Sequence, residues 1–361
     1  MTDFAERFRV AAAACTDTVS WHRNRSPADV LRSLAEACDE LGLDEWDSYG
    51  ERGPVARLET EVATLLGKES AAFFPSGIMA QQAALRVWSD RAGTRRVALP
   101  DLSHLLSHEL DGPRLLHGFE VDHLTTGNEV ATAQHLARVP GRLAAVLVEL
   151  PLRDAGCLLP TWEELAGLAT ACRDRDVRLH LDGARLWEAQ PFYGRPFSEI
   201  AALADSIYVS FYKGLGGLAG ACLAGPADFV DEARRWRTRM GGTIFRMTPE
   251  AVGGLVGLRD RLPLMGECVA WARALAAALP DSITTQPGVP HTNTFLLYAA
   301  GEVDVVNERL LEFVLEHRLM LTHPWRPGGE PGRVVCELAI GDAALHLDPE
   351  TIADHIGELL R

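Results

Sequence analysis

Apolar positions along the chain follow two alternating periods. In residues 54–67, Val55, Leu58, Val62, Leu65 and Leu66 fall at helical spacing, with proline in the first turn and glycine at the end. Residues 71–75 form a short apolar run that predicts a strand, Ser76 opens a helical segment to about residue 91, and 96–99 is a second strand. The run 143–150 predicts a strand buried on both faces. A helix is expected over 161–174, where Thr161 and Glu164 stand at capping-box spacing. Three more strands are expected, at 177–181 ending on Asp182-Gly183, at 206–211 ending just before Lys213, and at 218–224. The last is followed by a helix over 226–240.

Short strands alternating with helices predict an α/β fold with a mostly parallel central sheet covered on both faces. In such sheets ligands bind outside the carboxyl ends of strands. Ser76, Asp182 and Lys213 all follow strands, so fold and chemistry point to one edge. After about residue 245 the pattern changes to helical segments at 249–279, 303–317 and 349–360, with strands at 295–298 and 333–340. This reads as a smaller α+β C-terminal domain. The expected organisation is a segment 1–45 packing on the small domain or on a partner subunit, a large domain 46–245 and a small domain 246–361.

Composition narrows the function. With 35 basic and 50 acidic residues the 361-residue chain carries a net charge of −15, which argues against nucleic acid and anionic membranes as partners. No apolar run reaches the ~18–20 residues of a spanning helix. The start of the chain lacks the basic and continuous apolar regions of a secretory signal. Seven cysteines form no CxxC pair, which fits reduced thiols in a cytoplasmic protein, and no metal site is expected.

Several positions are candidates for chemistry. Lys213 stands after an apolar strand and before a Gly-rich turn, where desolvation would make its amine a nucleophile toward an aldehyde; it also fits an ordinary turn lysine. Asp182 could fix a cation at the sheet edge or cap a helix. Arg185 suits a substrate carboxylate or a structural pair with Asp182. Ser76-Gly77 opens a helix whose N–H groups form an anion site, or is a plain cap. His104 offers a flat partner for a ring. Together these are the parts of a pyridoxal 5′-phosphate site, which needs a Schiff-base lysine, an anion for the pyridine nitrogen and a phosphate cradle.

At these residues the chain resembles the threonine aldolase/β-eliminating lyase family of fold-type I pyridoxal-phosphate enzymes. Tyr49-Gly-Glu with Val55-Ala-Arg-Leu-Glu is similar to the family's YGEDPTVNRLE, and Phe74-Pro-Ser-Gly-Ile-Met-Ala to its phosphate loop. His104 with Glu109, His180-Leu-Asp-Gly-Ala-Arg-Leu-Trp and Lys213-Gly-Leu-Gly follow in the family's order. The resemblance implies that Lys213 joins the cofactor, Asp182 pairs with its ring nitrogen, His104 stacks on the ring and Arg185 holds the substrate carboxylate. It implies phosphate contacts from Ser76, Gly77 and Ile78, with Ser210 as a further contact, and substrate contacts from Thr16 and Arg333. It also implies a homodimer or homotetramer with sites at the subunit interface.

The chain departs from the family at three places. Ile78 replaces the loop threonine, Leu152 and Arg153 replace the His-Asn of E-N-T-H-N, and Tyr212 replaces the serine before the lysine. Three activities follow. The first is retro-aldol cleavage of a β-hydroxy-α-amino acid to glycine and an aldehyde, with His104, a water or His108 as the base. The second is β-elimination from a cysteine- or serine-type substrate, which does not need the missing histidine. The third is a catalytically silent scaffold.

Overall fold

The computed structural model of the chain describes residues 4–361; Met1, Thr2 and Asp3, at the start of the segment read as 1–45, lie outside the described residues. The chain divides into two compact units, one of residues Val30–Leu262 and the other of Met1–Asp29 with Pro263–Arg361.

The unit Val30–Leu262 is built on seven strands: β1 (Ser70–Phe74), β2 (Arg96–Leu99), β3 (Glu120–His123), β4 (Ala145–Glu149), β5 (Arg178–Gly183), β6 (Ser206–Ser210) and β7 (Ala221–Gly225). Their order in the sheet is β1-β7-β6-β5-β4-β2-β3. All neighbours are parallel except β7, which runs antiparallel to both β1 and β6. Every residue of β4, β6 and β7 is buried, as a sheet covered on both faces requires. The strand β3 has no counterpart in the sequence reading. Its residues Glu-Val-Asp-His lie at the sheet edge with none buried, so it carries no apolar run.

Local chemistry sets the helix ends that matter for the site. Ser76 is extended and its hydroxyl accepts the Met79 N–H, which starts the helix Gly77–Ala92. Trp88 of this helix stacks on Phe229 at 4.4 Å and holds it against the helix Ala227–Arg239. Thr161 and Glu164 form the expected capping box at the head of Trp162–Asp174.

The boundary between units falls later than residue 245. The helix Thr248–Val256 packs on Gly53–Leu66, where Leu58 lies against Gly254 so closely that an added Cβ would sit 2.9 Å from it. Asp47 Oδ1 also accepts the Met247 N–H at 2.9 Å and the Thr248 hydroxyl at 2.7 Å. The helical stretch expected over 249–279 breaks at a π turn, Gly257–Arg261, followed by Pro263, which has no N–H to continue the ladder. The N-terminal segment likewise divides: Leu41 O accepts from Arg57 and Glu40 pairs with Arg259 within the unit Val30–Leu262.

In the other unit an antiparallel sheet orders Arg326–Pro327, Arg333–Ala339, Thr294–Ala300 and Ile283–Gln286. Helices Met265–Ala278, Val303–His317 and Pro349–Leu359 close a core that includes Phe295, Leu310, Trp325 and Ile356. The helix Phe4–Ala13 joins this core through Phe8, and Arg7 pairs with Glu308 at 2.8 Å.

Candidate active site

The register of β4, β5 and β6 sets Glu149, Asp182 and Tyr208 side by side at the carboxyl edge of the sheet. Around them opens a small cleft of about 40 Å³. Its lining brings together Gly77, Ile78, His104, Asp182, Arg185 and Lys213, six of the positions singled out in the sequence. Arg153 lines it too, as do Gln81, Glu109, Glu149, Tyr208 and Tyr212, to which the sequence reading gave no role at the site.

Electrostatics follow from burial. The Lys213 amine is pushed down to about 8, mainly by desolvation and next by the Arg185 guanidinium, against the pull of Asp182, Glu188 and Glu149. Burial raises the Asp182 carboxyl, while Lys213 and the Ala184 N–H, donated to Oδ1 at 2.9 Å, favour its charged form. Glu149 is driven up to about 8 by burial and by Asp182. His104 moves the other way from a buried base. Its hydrogen bond to Glu109, with Nδ1 3.3 Å from Oε1, raises it. The His104 backbone N–H is given to Glu149 Oε1 at 2.5 Å, so both carboxylates orient this residue.

The helix start borders the cleft through Gly77 and Ile78. Ser76 itself does not line the cleft and its hydroxyl is occupied as the cap. Gly77 is required here, because a Cβ would lie 2.0 Å from the Tyr208 hydroxyl oxygen. Ser210 also lies outside the lining and its hydroxyl donates to Ala184 O at 2.6 Å, so it serves the turn after β5 rather than the cleft. His108 does not line the cleft either. It pairs with Asp154 at 2.8 Å, with its ring 5.0 Å from that of His104.

Leu152, at the position of the family's histidine, is buried, pairs its backbone with Leu158 and does not line the cleft, whereas Arg153 does. Thr16 and Arg333 belong to the other unit. Thr16 is exposed at the rim of a second cavity with Trp21 and Arg23, and Arg333 stacks on Tyr298 at 5.2 Å and donates to Thr284. The structure does not bring these two together in one cavity. Glu188, missed in the sequence, is fully buried behind Lys213 and accepts the Gly214 N–H at 3.0 Å.

The sequence profile of the beta-eliminating lyase family matches residues 28–302. The chain belongs to that family. It superposes on a candidate L-allo-threonine aldolase of Listeria monocytogenes with a TM-score of 0.91 and 35% identity, covering 99% of each chain. A candidate aromatic amino acid beta-eliminating lyase/threonine aldolase of Exiguobacterium gives 0.90 and 37%, over 98% of this chain and 99% of that one. Low-specificity L-threonine aldolase 1 of Arabidopsis thaliana is 29% identical over 82% of this chain and 84% of its own. The protein is thus a threonine aldolase-like, pyridoxal-phosphate-dependent lyase of fold type I that acts on small amino acids.

The residues present fit that cofactor. Gln81 Nε2 lies buried on the cleft wall with no partner among the described residues, a donor that a ligand oxygen would satisfy. The glycine at the helix start lets the Tyr208 hydroxyl approach the backbone beside the cleft. A partly desolvated amine and a buried carboxylate face the same space. No described helix is long and apolar enough to cross a membrane.

Proposed function

We propose that this lyase cleaves the Cα–Cβ bond of a β-hydroxy-α-amino acid to give glycine and an aldehyde. The observation that carries the reading is the convergence of Lys213, Asp182, Arg185 and His104 on one cleft at the carboxyl edge of the sheet. Pyridoxal phosphate, when bound, supplies the electron sink that makes the bonds at Cα labile. Lys213 is the residue that holds it covalently. With its amine at about 8, a substantial neutral fraction exists near neutral pH, able to attack an aldehyde and later to move a proton at Cα. Asp182 keeps a proton on the ring nitrogen by standing beside it as an anion. His104, held by Glu109 and Glu149, would stack on the cofactor ring. The backbone at Gly77 and Ile78 receives the phosphate, with Ser76 holding the helix start in shape. Arg185, almost fully buried, takes the substrate carboxylate. His104 or a water it orders accepts the β-hydroxyl proton, and His108 backs it through the ring pair.

A β-elimination reading is favoured by one feature, Leu152, which leaves no histidine at the position nearest the β-hydroxyl in the family. A silent scaffold is disfavoured by the cost of burying a lysine, an arginine and an aspartate around a cleft with no ligand. Incubation with L-threonine, L-allo-threonine and L-cysteine, with glycine measured against pyruvate plus ammonia, decides between the two lyases. Glycine as the main product is expected; pyruvate alone would replace this reading with the second. Borohydride reduction followed by peptide mapping is expected to place the cofactor on Lys213. The free-thiol chemistry of the seven cysteines, none of them in a disulfide, supports a cytoplasmic protein. The family resemblance supports a homodimer or homotetramer, which light scattering checks.

A further inference from the structure

The position after the family's histidine, an asparagine there, carries an arginine in this chain, and that arginine lines the cleft. Arg153 opens the short turn Arg153–Ala155 that follows β4, and a third of its side chain is exposed. It contacts Asp154 at 3.6 Å, which also pairs with His108 Nε2 at 2.8 Å. The cleft therefore has two guanidinium groups, Arg153 and Arg185, where an amino acid with one carboxylate needs one.

The cofactor phosphate does not account for the second. The helix start at Gly77 lies against Tyr208 on β6, whereas Arg153 follows β4, with β5 between them. Two strand spacings, about 10 Å, separate these ends of the cleft. The charge of the lining points the same way. His104, Arg153, Arg185 and Lys213 face Glu109, Glu149 and Asp182. The Glu149 carboxyl, pushed up to about 8 by burial and by Asp182, holds its proton at neutral pH. Guanidinium groups in a cleft walled by low-dielectric protein draw anions.

We propose that Arg153 is a specificity-determining residue that selects β-hydroxy-α-amino acids bearing a second carboxylate on the β-carbon side, of the 3-hydroxyaspartate class. This inference rests on the retro-aldol reading above. In the balanced reaction the Cα–Cβ bond of 3-hydroxyaspartate breaks and its electron pair stays with Cα, which then takes up a proton to give glycine. The β-hydroxyl loses its proton as the C=O forms, and the four-carbon acid leaves a two-carbon oxo acid, glyoxylate. Nothing is oxidised or reduced overall. Arg153 pairs with the carboxylate that becomes that of glyoxylate, in the bidentate geometry guanidinium favours.

The test compares kcat/KM for 3-hydroxyaspartate and for threonine in the holoenzyme, in Arg153→Gln and in Arg153→Lys. Cofactor affinity of each is measured by equilibrium dialysis, and L-aspartate and L-alanine binding by calorimetry. The expected result is a wild-type preference for the dicarboxylate of at least about 10-fold, with the ratio falling about 10–100-fold in Arg153→Gln. Arg153→Lys restores part of it, and L-aspartate binding weakens in parallel in Arg153→Gln. Wild-type preference for threonine, or a ratio unchanged by Arg153→Gln, overturns the inference while glycine formation leaves the retro-aldol reading standing. Loss of cofactor affinity with an unchanged ratio moves Arg153 to the phosphate and also overturns it. Absence of glycine from both substrates, with 2-oxobutyrate or oxaloacetate formed instead, marks failure of the retro-aldol reading itself and removes the inference with it.

Discussion

His104 hands its backbone N–H to Glu149 Oε1 at 2.5 Å, tying the turn after β2 to the end of β4. The acceptor is a buried carboxyl raised from the usual 4.5 to about 8 by desolvation and by Asp182. In the folded state it keeps a proton that the unfolded chain releases above about 4.5. Stability from this group is therefore present at low pH and falls as pH rises through about 8. Glu149→Gln keeps an acceptor and removes the titration. Denaturant unfolding of the apoprotein is expected to show the variant close to wild type at pH 5 and more stable at pH 9 by about 1–3 kcal/mol. Parallel stability curves would place the proton elsewhere.

Lys213 and Arg185 are coupled through one cleft, and the guanidinium helps hold the amine at about 8. At pH 7 about a tenth of such an amine is neutral, against well under a thousandth for an ordinary lysine. Cofactor capture by the apoprotein, trapped with borohydride across a pH series, is expected to rise to a midpoint near 8. Arg185→Gln removes a charge that favours the neutral amine, so its midpoint moves up. An unmoved midpoint would show that burial alone sets the amine.

Much of this cleft was legible in the chain because strand ends concentrate chemistry. The apolar run of β4 is continuous up to Glu149, and the polar residues that follow the strand cores of β5 and β6, Asp182 and Lys213, are brought together in the cleft. What escaped the reading lacked a local signature. Tyr208 reads as a β-former and Glu149 as the end of a run, and only the register beside Asp182 gives them a place in the site. Ser210 carries no local sign that its hydroxyl donates to the Ala184 carbonyl in the turn after β5. The Leu152 and Arg153 pair shows the limit most plainly. Spacing marks both as departures, but only the fold shows that Arg153 lines the cleft while Leu152 is buried outside its lining.

A directed hydrogen-bond chain runs beneath the site. Trp88 Nε1–H can only donate, and gives to Ser206 Oγ at 2.8 Å. The Ser206 hydroxyl is thereby left to donate to His180 Nδ1 at 2.8 Å, and His180 Nε2–H donates to Gln81 Oε1 at 2.6 Å. His180 is fully buried and lowered to about 3, so the folded state refuses a proton that the unfolded chain accepts near 6.5. Stability from this neutral ring is present above pH 6.5 and is lost as pH falls toward 3. Ser206→Ala breaks two links and is expected to cost about 1–3 kcal/mol in urea unfolding at pH 7. Nitrogen NMR of wild type is expected to show the Nε2–H tautomer, and the Nδ1–H form would reverse the chain.

Gly77 and Ile78 make opposite predictions at one helix start. A methyl group on residue 77 would lie 2.0 Å from the Tyr208 hydroxyl oxygen and 2.6 Å from the ring carbon that bears it. Removing the hydroxyl alone does not open the space, so Gly77→Ala must shift either the helix start or the tyrosine. Misplacement of catalytic groups by about 1 Å can cost on the order of 100-fold, and cofactor affinity is expected to fall at least about 10-fold in this variant. Tyr208→Phe in the same chain should not recover it. Ile78 lines the cleft and is 42% exposed, so a hydroxyl there meets no packed neighbour that must give way. Ile78→Thr adds one donor to an anion site built from backbone N–H groups and is expected to tighten cofactor binding by about 2–10-fold. Equilibrium dialysis of the two variants measures both effects. Equal affinities in wild type, Gly77→Ala and Ile78→Thr would remove the phosphate from this helix start.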